Sequence, residues 1–92
     1  MAVHARPAAF EGVDGYSYSA DILTDITGDP AAPWGAYLLF VRWGYGEPEV
    51  QGHLESEFLI RGTREAVVRR DLGSMLLATV KATLDGLIRA RS

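Results

Sequence analysis

Three polar side chains with a spacing suited to metal or acid–base chemistry stand in the stretch His53-Leu-Glu55-Ser-Glu57. Alternate side chains of a strand share a face, so all three would project together. An imidazole with two carboxylates can hold a divalent metal ion, and a histidine–carboxylate pair can transfer protons. Such neighbours lie about 7 Å apart along a strand, so the alternative is a solvated face whose carboxylates meet Arg42 or Arg61. These three residues are the metal candidates, but we expect neither a metal nor a cofactor.

A second group of charged residues is a basic cluster of four arginines: Arg61, Arg64, Arg69 and Arg70. Aromatic side chains near arginines can stack single-stranded bases. However, the chain has a net charge of −3, and four glutamates crowd the same region and would repel phosphate: Glu47, Glu49, Glu55 and Glu57. We therefore expect no nucleic-acid partner. The charges also permit an acidic inhibitor that occupies the basic groove of a nucleic-acid-binding protein.

Other catalytic signatures are missing from the sequence. None of the serines stands in a G-x-S-x-G turn, and Gly44 and Gly46 lack the G-x-G-x-x-G spacing of a dinucleotide-binding loop. The chain has no cysteine, which excludes disulfides and thiolate metal sites. We therefore expect a protein that is not an enzyme.

The elements that must position these residues follow from the hydrophobic pattern. Period-two alternation predicts strands at 16–26 and 50–61, and the apolar run between them predicts another strand at 34–45. The short connection at 46–49 predicts an antiparallel hairpin of the second and third strands. Residues 1–14 show no clean period and are predicted to be a loose N-terminal arm, which leaves 15–92 as a single domain.

The C-terminal region, 63–90, is predicted to be helical. Thr63 is a candidate N-cap, and Glu65 falls in the first turn, where a carboxylate suits the helix dipole. Gly73 predicts a break into two helices; the alternative is one long helix that tolerates the glycine at about 1 kcal/mol. Strands followed by helices indicate an α+β fold, a three-stranded antiparallel meander with the helical region packed on one sheet face. The second helix should present an apolar stripe: Leu77, Val80, Leu84, Leu87 and Ile88.

The second strand, in the stretch WGAYLLFVRWGYG, is apolar on both of its faces. The face covered by helices should gather Ile22, Ile26, Leu54, Phe58 and Ile60 with Leu38 and Phe40. The far face would then carry Tyr37, Leu39, Val41, Trp43 and Tyr45, a patch of roughly several hundred Å² that monomers rarely leave bare. The N-terminal arm, a second copy, a different protein or a flat ligand could cover it.

The charges are also unevenly divided along the chain. Residues 1–58 carry nine acidic side chains and two arginines, whereas residues 59–92 carry seven basic and three acidic side chains. One interpretation is that a strand-rich half and a helical half have attracted complementary charges. The other is a bipolar molecule that self-associates or docks on a charged partner.

These features predict a small non-catalytic association domain, either homo-oligomeric or an accessory subunit of a larger complex. The expected partner is a second copy in a homodimer or higher assembly, with a different protein as the alternative. A second hypothesis is a small-ligand binding module that uses the far face or the gap between sheet and helices. No membrane partner is expected, since no apolar run approaches the length of a span, and the expected compartment is the cytoplasm.

Overall fold

An antiparallel sheet with two helices on one of its faces forms the fold, which confirms the α+β prediction. The computed structural model describes residues 9–43 and 50–91, so Tyr45 and the predicted turn at 46–49 lie outside the described residues. The elements are β1 (Ala9–Glu11), β2 (Ser17–Ile26), β3 (Trp34–Trp43), β4 (Val50–Glu55), β5 (Ile60–Gly62), α1 (Glu65–Gly73) and α2 (Leu77–Arg91).

Strand β3 is the centre of the sheet. It pairs along its whole length with β2, with Ile22 opposite Leu38 and Ala20 opposite Phe40. The prolines and glycine of residues 27–33 end the ladder, and the loop closes with a bond from the Thr27 N–H to the Pro33 carbonyl. On the other edge of β3, both β4 and β5 pair antiparallel to it.

The predicted third strand, 50–61, is therefore two strands with a break at 56–59. Leu39 pairs with Glu55 and Ala36 pairs with Ile60, so the two pairs are three residues apart on β3 but five residues apart on the partner segment. The partner segment therefore contains two extra residues between these pairs. The Leu38 N–H donates to the Ser56 hydroxyl at 2.9 Å, in place of the backbone carbonyl that would accept this bond in a regular ladder. The alternation predicted one continuous strand because it reports only which face each side chain would occupy in a regular strand. It does not reveal the two inserted residues.

The N-terminal region also differs from the prediction, because residues 9–11 form an edge strand in place of a loose arm. Phe10 pairs with Tyr18, and the Val13 N–H donates to Asp85 Oδ1 at 2.9 Å. Gly12 is buried against Ile88 and Tyr18. These contacts reach up to 72 residues along the chain, so no local period reveals them.

The helical region is broken near Gly73, as predicted. The Ser74 hydroxyl and N–H both donate to the Asp71 carbonyl, at 2.7 and 3.3 Å, and so end α1. The first helix begins one residue later than Thr63 would place it, because its N-cap is Arg64, which makes no side-chain capping bond. Neither helix of the described chain is long and apolar enough to cross a membrane.

The core lies between the helices and the face of the sheet that carries Leu38 and Phe40. Its buried members come from both layers: Tyr18, Ala36, Leu38, Phe40, Val68, Leu72, Val80, Leu84 and Ile88. Of the predicted covered set, Ile22, Leu54 and Ile60 pack against this core. Two expectations were wrong: Ile26 is exposed at the end of β2, and Phe58 lies on the other face. Leu77 of the predicted α2 stripe is also exposed.

Candidate functional site

The sheet face opposite the helices is the first candidate site, and we call it the open face. Tyr37, Leu39, Val41 and Trp43 alternate with the core residues of β3 and therefore lie on it. Each of the four is partly exposed. Within residues 9–43 and 50–91, both helices pack on the opposite face. The alternation thus predicted these four positions, while Tyr45 is outside the described residues.

Polar residues border this apolar column on both sides. The register sets Asp21 beside Leu39 on the β2 side and Glu55 beside it on the β4 side. Asp25 and Arg61 likewise flank Gly35. An apolar centre with a polar rim is the anatomy of a protein–protein interface.

Phe58 is an open-face residue that the sequence prediction missed. The break at 56–59 turns its ring to this face, where it occupies the space that a side chain at Gly35 would need. The ring meets Tyr37 edge-on, with centroids 5.8 Å apart, and the Arg61 guanidinium lies 5.5 Å from its centroid. The signal that could have found it is Gly35 itself, because a glycine inside an apolar strand often marks a close approach.

Trp43 is held in place on the open face by a hydrogen bond across strands. Its indole Nε1–H donates to the Ser19 hydroxyl of β2 at 3.1 Å. The bond satisfies the polar edge of the indole and leaves the ring as apolar contact surface.

The metal candidates are only partly brought together. His53 Nε2 lies 3.9 Å from Glu55 Oε2, with both side chains more than half exposed at 63% and 53%. Glu57 falls in the break after β4 and leaves the strand face that the alternation assumed. Among the residues that the structure describes, no three histidine, aspartate or glutamate side chains are grouped so that they could hold a metal ion.

The four arginines of the predicted basic cluster lie on different parts of the fold. Arg61 is on the open face, whereas Arg69 is on the helix side and donates to the Ile22 carbonyl at 3.2 Å. Arg70 lies 3.7 Å from Asp71, and Arg64 occupies the N-cap position of α1 without a side-chain capping bond. The sequence grouped them because they are close along the chain, but only Arg64, Arg69 and Arg70 share an element, α1, whereas Arg61 lies on β5.

The second candidate site is a cleft of about 730 Å³ where the sheet meets the C-terminal end of α2. The apolar part of its walls consists of two tyrosine rings and two aliphatic side chains, and charged and polar residues form the rest. The lining residues are Asp14, Tyr16, Tyr18, Arg42, Gly52, His53, Leu54, Ile88 and Arg91. The sequence analysis proposed a gap between the sheet and the helices as a binding site, but it did not predict which residues line it.

A buried phenol forms one wall of this cleft. The Tyr18 hydroxyl donates to Asp14 Oδ2 at 2.7 Å. Burial raises the pKa of Tyr18 to about 12, and the hydrogen bond to the Asp14 carboxylate and its negative charge act in the same direction. The phenol therefore stays neutral and keeps donating its hydrogen bond to the Asp14 carboxylate.

Two guanidinium groups supply positive charge to the cleft. Arg42 lies over the Tyr16 ring at 4.6 Å and reaches Asp14 at 3.9 Å. Arg91, at the end of α2, donates to the His53 carbonyl at 3.3 Å. Gly52 adopts φ +148°, a conformation that side chains rarely allow, at a bulge opposite Arg42 and Trp43. A Cβ at Gly52 would lie 3.8 Å from Arg42 Nη2, an ordinary van der Waals distance, so the positive φ and not crowding favours glycine here.

Comparisons of the chain with protein-family models, with curated proteins and with solved structures find no match.

Proposed function

We propose that this protein works by association and not by catalysis, and that a second copy of the chain docks on the open face. The observation that carries the proposal is the column Tyr37, Leu39, Val41 and Trp43, apolar and partly exposed on the side of the sheet away from both helices. Face-to-face packing of two sheets about 10 Å apart is a common way to bury such columns.

The size of the open face supports this occupant. β3 has ten residues, so the face is about 33 Å long, and three to four strands make it about 14–19 Å wide. The flat area is then about 450–650 Å², before the relief of the side chains is counted. Stable interfaces begin at about 600 Å² per partner.

One arrangement of the two copies brings the charges of the rim into defined pairs. A two-fold axis along β3 lays β2 of one copy over β4 and β5 of the other. Asp25 of each copy then meets Arg61 of the other, because both flank Gly35. The same rotation sets Asp21 opposite Glu55, which is repulsive. We therefore expect Asp25→Asn to weaken the dimer and Asp21→Asn to strengthen it.

The main experiment places a charge in the centre of the open face. In Val41→Glu, the new side chain lies beside Ser19 and His53, so the folded monomer meets no like charge in that row. In the dimer the carboxylate would be buried without a partner, which should weaken association at least about a hundredfold. Size exclusion with light scattering should give twice the chain mass of 10.0 kDa for the wild type and the single mass for Val41→Glu.

Leu76→Glu is the matched control, because Leu76 is 74% exposed and precedes α2 on the helix side. It makes the same chemical change and should leave the dimer intact. A wild-type protein of single-chain mass at micromolar concentration would overturn the proposal, as would a dimer that survives Val41→Glu. Circular dichroism of the variants checks that both keep the fold.

The cytoplasm is the compartment that we propose for this protein. A chain without cysteine needs no oxidising environment for its stability. Fractionation of the source cells with an antibody against the chain tests this, and recovery outside the cytoplasmic fraction would contradict it.

A further inference from the structure

We infer that dimerisation on the open face completes a site for a divalent transition-metal ion such as Zn²⁺. Its ligands are His53 and Glu55 of one copy and Asp21 of the second copy. The inference rests on the proposed function, because one chain does not supply the whole set. Within residues 9–43 and 50–91, no three histidine, aspartate or glutamate side chains of a single chain are grouped so that they could hold a metal ion.

Two of the three ligands already lie close together in the single chain. His53 pairs with Val41 and Glu55 pairs with Leu39, so both side chains project from the open face. His53 Nε2 lies 3.9 Å from Glu55 Oε2, whereas two ligands of a tetrahedral zinc ion lie about 3.4 Å apart. Both side chains are more than half exposed, at 63% and 53%, so a small change of rotamer closes the difference.

The second copy supplies the third ligand when the two-fold axis runs along β3. Rotation about this axis keeps the position of each residue along the strand and exchanges the β2 side of the sheet with the β4 side. Asp21 and Glu55 both flank Leu39, so Asp21 of one copy lies over Glu55 of the other. The facing sheets would be about 10 Å apart, and the two carboxylate side chains reach into this gap from opposite sides.

The charges at this position favour a bound cation over a direct contact. Without an ion, the carboxylates of Asp21 and Glu55 face each other where the packed sheets exclude water, and they repel the two copies. A divalent cation between them removes the repulsion. The His53 imidazole selects a transition metal, because Ca²⁺ and Mg²⁺ prefer oxygen ligands. Metal binding and dimerisation should therefore strengthen each other.

The test measures the dimer dissociation constant of the full chain by sedimentation equilibrium, in EDTA and at buffered concentrations of free Zn²⁺. The two-fold axis creates two equal sites. Free Zn²⁺ at ten times the dissociation constant of each site should therefore tighten the wild-type dimer about a hundredfold. His53→Gln and Glu55→Gln should each remove most of this response.

Asp21→Asn is the most specific variant, because its effect should change sign. In EDTA it should form a tighter dimer than the wild type, since the repulsion with Glu55 is gone. In Zn²⁺ it should form the weaker dimer, since the ion has lost a ligand. A disturbed fold would weaken the dimer in both solutions and could not produce this inversion. Asp71→Asn, on α1, makes the same chemical change on the helix side and should keep the wild-type response to Zn²⁺.

Two results would overturn the inference and leave the proposed dimer intact. One is a wild-type dimer whose dissociation constant is the same in EDTA and in micromolar free Zn²⁺. The other is a response to Zn²⁺ that survives Asp21→Asn. A single-chain mass of the wild type in both solutions would instead contradict the proposed dimer itself.

Discussion

At the scale of single residues, Tyr18 belongs to both the core and the cleft wall, and its phenol should titrate above the ordinary tyrosine pKa of 10.0. Its pKa is raised from 10.0 to about 12 by burial and by Asp14, so the folded state favours the neutral phenol. The resulting stability is complete below pH 10 and is lost as pH rises from about 10 to about 12. A titration of tyrosinate absorbance should show one delayed step, and the free energy of unfolding should fall over the same interval.

The variant Tyr18→Phe should abolish that delayed step and lower the free energy of unfolding by about 1 kcal/mol, the usual worth of one hydrogen bond. Tyr37→Phe, on the open face, is the control and should leave the step in place. If the folded wild type showed no tyrosinate step delayed toward pH 12, the buried bond from Tyr18 to Asp14 would be contradicted.

Substitution of two glycines by alanine should change the free energy of unfolding in opposite directions, because one glycine is crowded and the other is not. A Cβ at Gly35 would lie 2.6 Å from Phe58 Cγ, whereas a Cβ at Gly86 in α2 would meet nothing within 4 Å. Gly35→Ala should therefore lower the free energy of unfolding by about 1–3 kcal/mol, because the Phe58 ring must move. Gly86→Ala should raise it by about 1 kcal/mol through helix propensity. Urea unfolding measures both, and equal effects of the two would contradict the placement of Phe58.

At the scale of elements, hydrogen bonds of the Asp85 carboxylate link α2 to the turn between β1 and β2. Lys81 Nζ donates to its Oδ2 at 2.5 Å, and the Val13 N–H donates to its Oδ1. The hydrogen bond from Lys81 holds the pKa of Asp85 below its ordinary value of 3.8, although burial acts in the opposite direction. The stabilisation is therefore present above pH 3.8 and is lost as pH falls through the lower pKa of the folded state.

Asp85→Asn should cost about 1–2 kcal/mol at neutral pH, because two charge-assisted hydrogen bonds are weakened. The difference from wild type should shrink as pH falls below the ordinary aspartate range. Asp71→Asn, which removes an exposed pair with Arg70, should cost less than about 0.5 kcal/mol. Unfolding curves from pH 7 to pH 3 check both, and a pH-independent cost for Asp85→Asn would count against this role.

At the scale of the whole molecule, the helices divide the sheet into two surfaces with different chemistry. The open face is apolar with a mixed-charge rim, whereas the cleft on the helix side is polar and lined by two arginines. Ion pairs such as Arg42–Asp14 and Lys81–Asp85 lie within the strand-rich half or within the helical half. Among the residues that the structure describes, these pairs do not join the acidic half to the basic half.

The α+β class, the helix break near Gly73 and the two faces of β3 could be predicted from the sequence. These features depend on hydrophobic periodicity and on turn residues, and both are visible in residues that are close along the chain. The open face followed from the same alternation, since parity alone assigns Tyr37, Leu39, Val41 and Trp43 to one side.

Features that depend on residues distant along the chain become apparent only in the folded protein. The break at 56–59 exists because Phe58 fills the space over Gly35, and β1 is ordered by contacts with β2 and α2. The cleft is assembled from the turn at Asp14, from β3 at Arg42 and from the end of α2 at Arg91. No spacing in the sequence records this convergence, because side chains 28 and 49 residues apart become neighbours only when the sheet and the helix pack together.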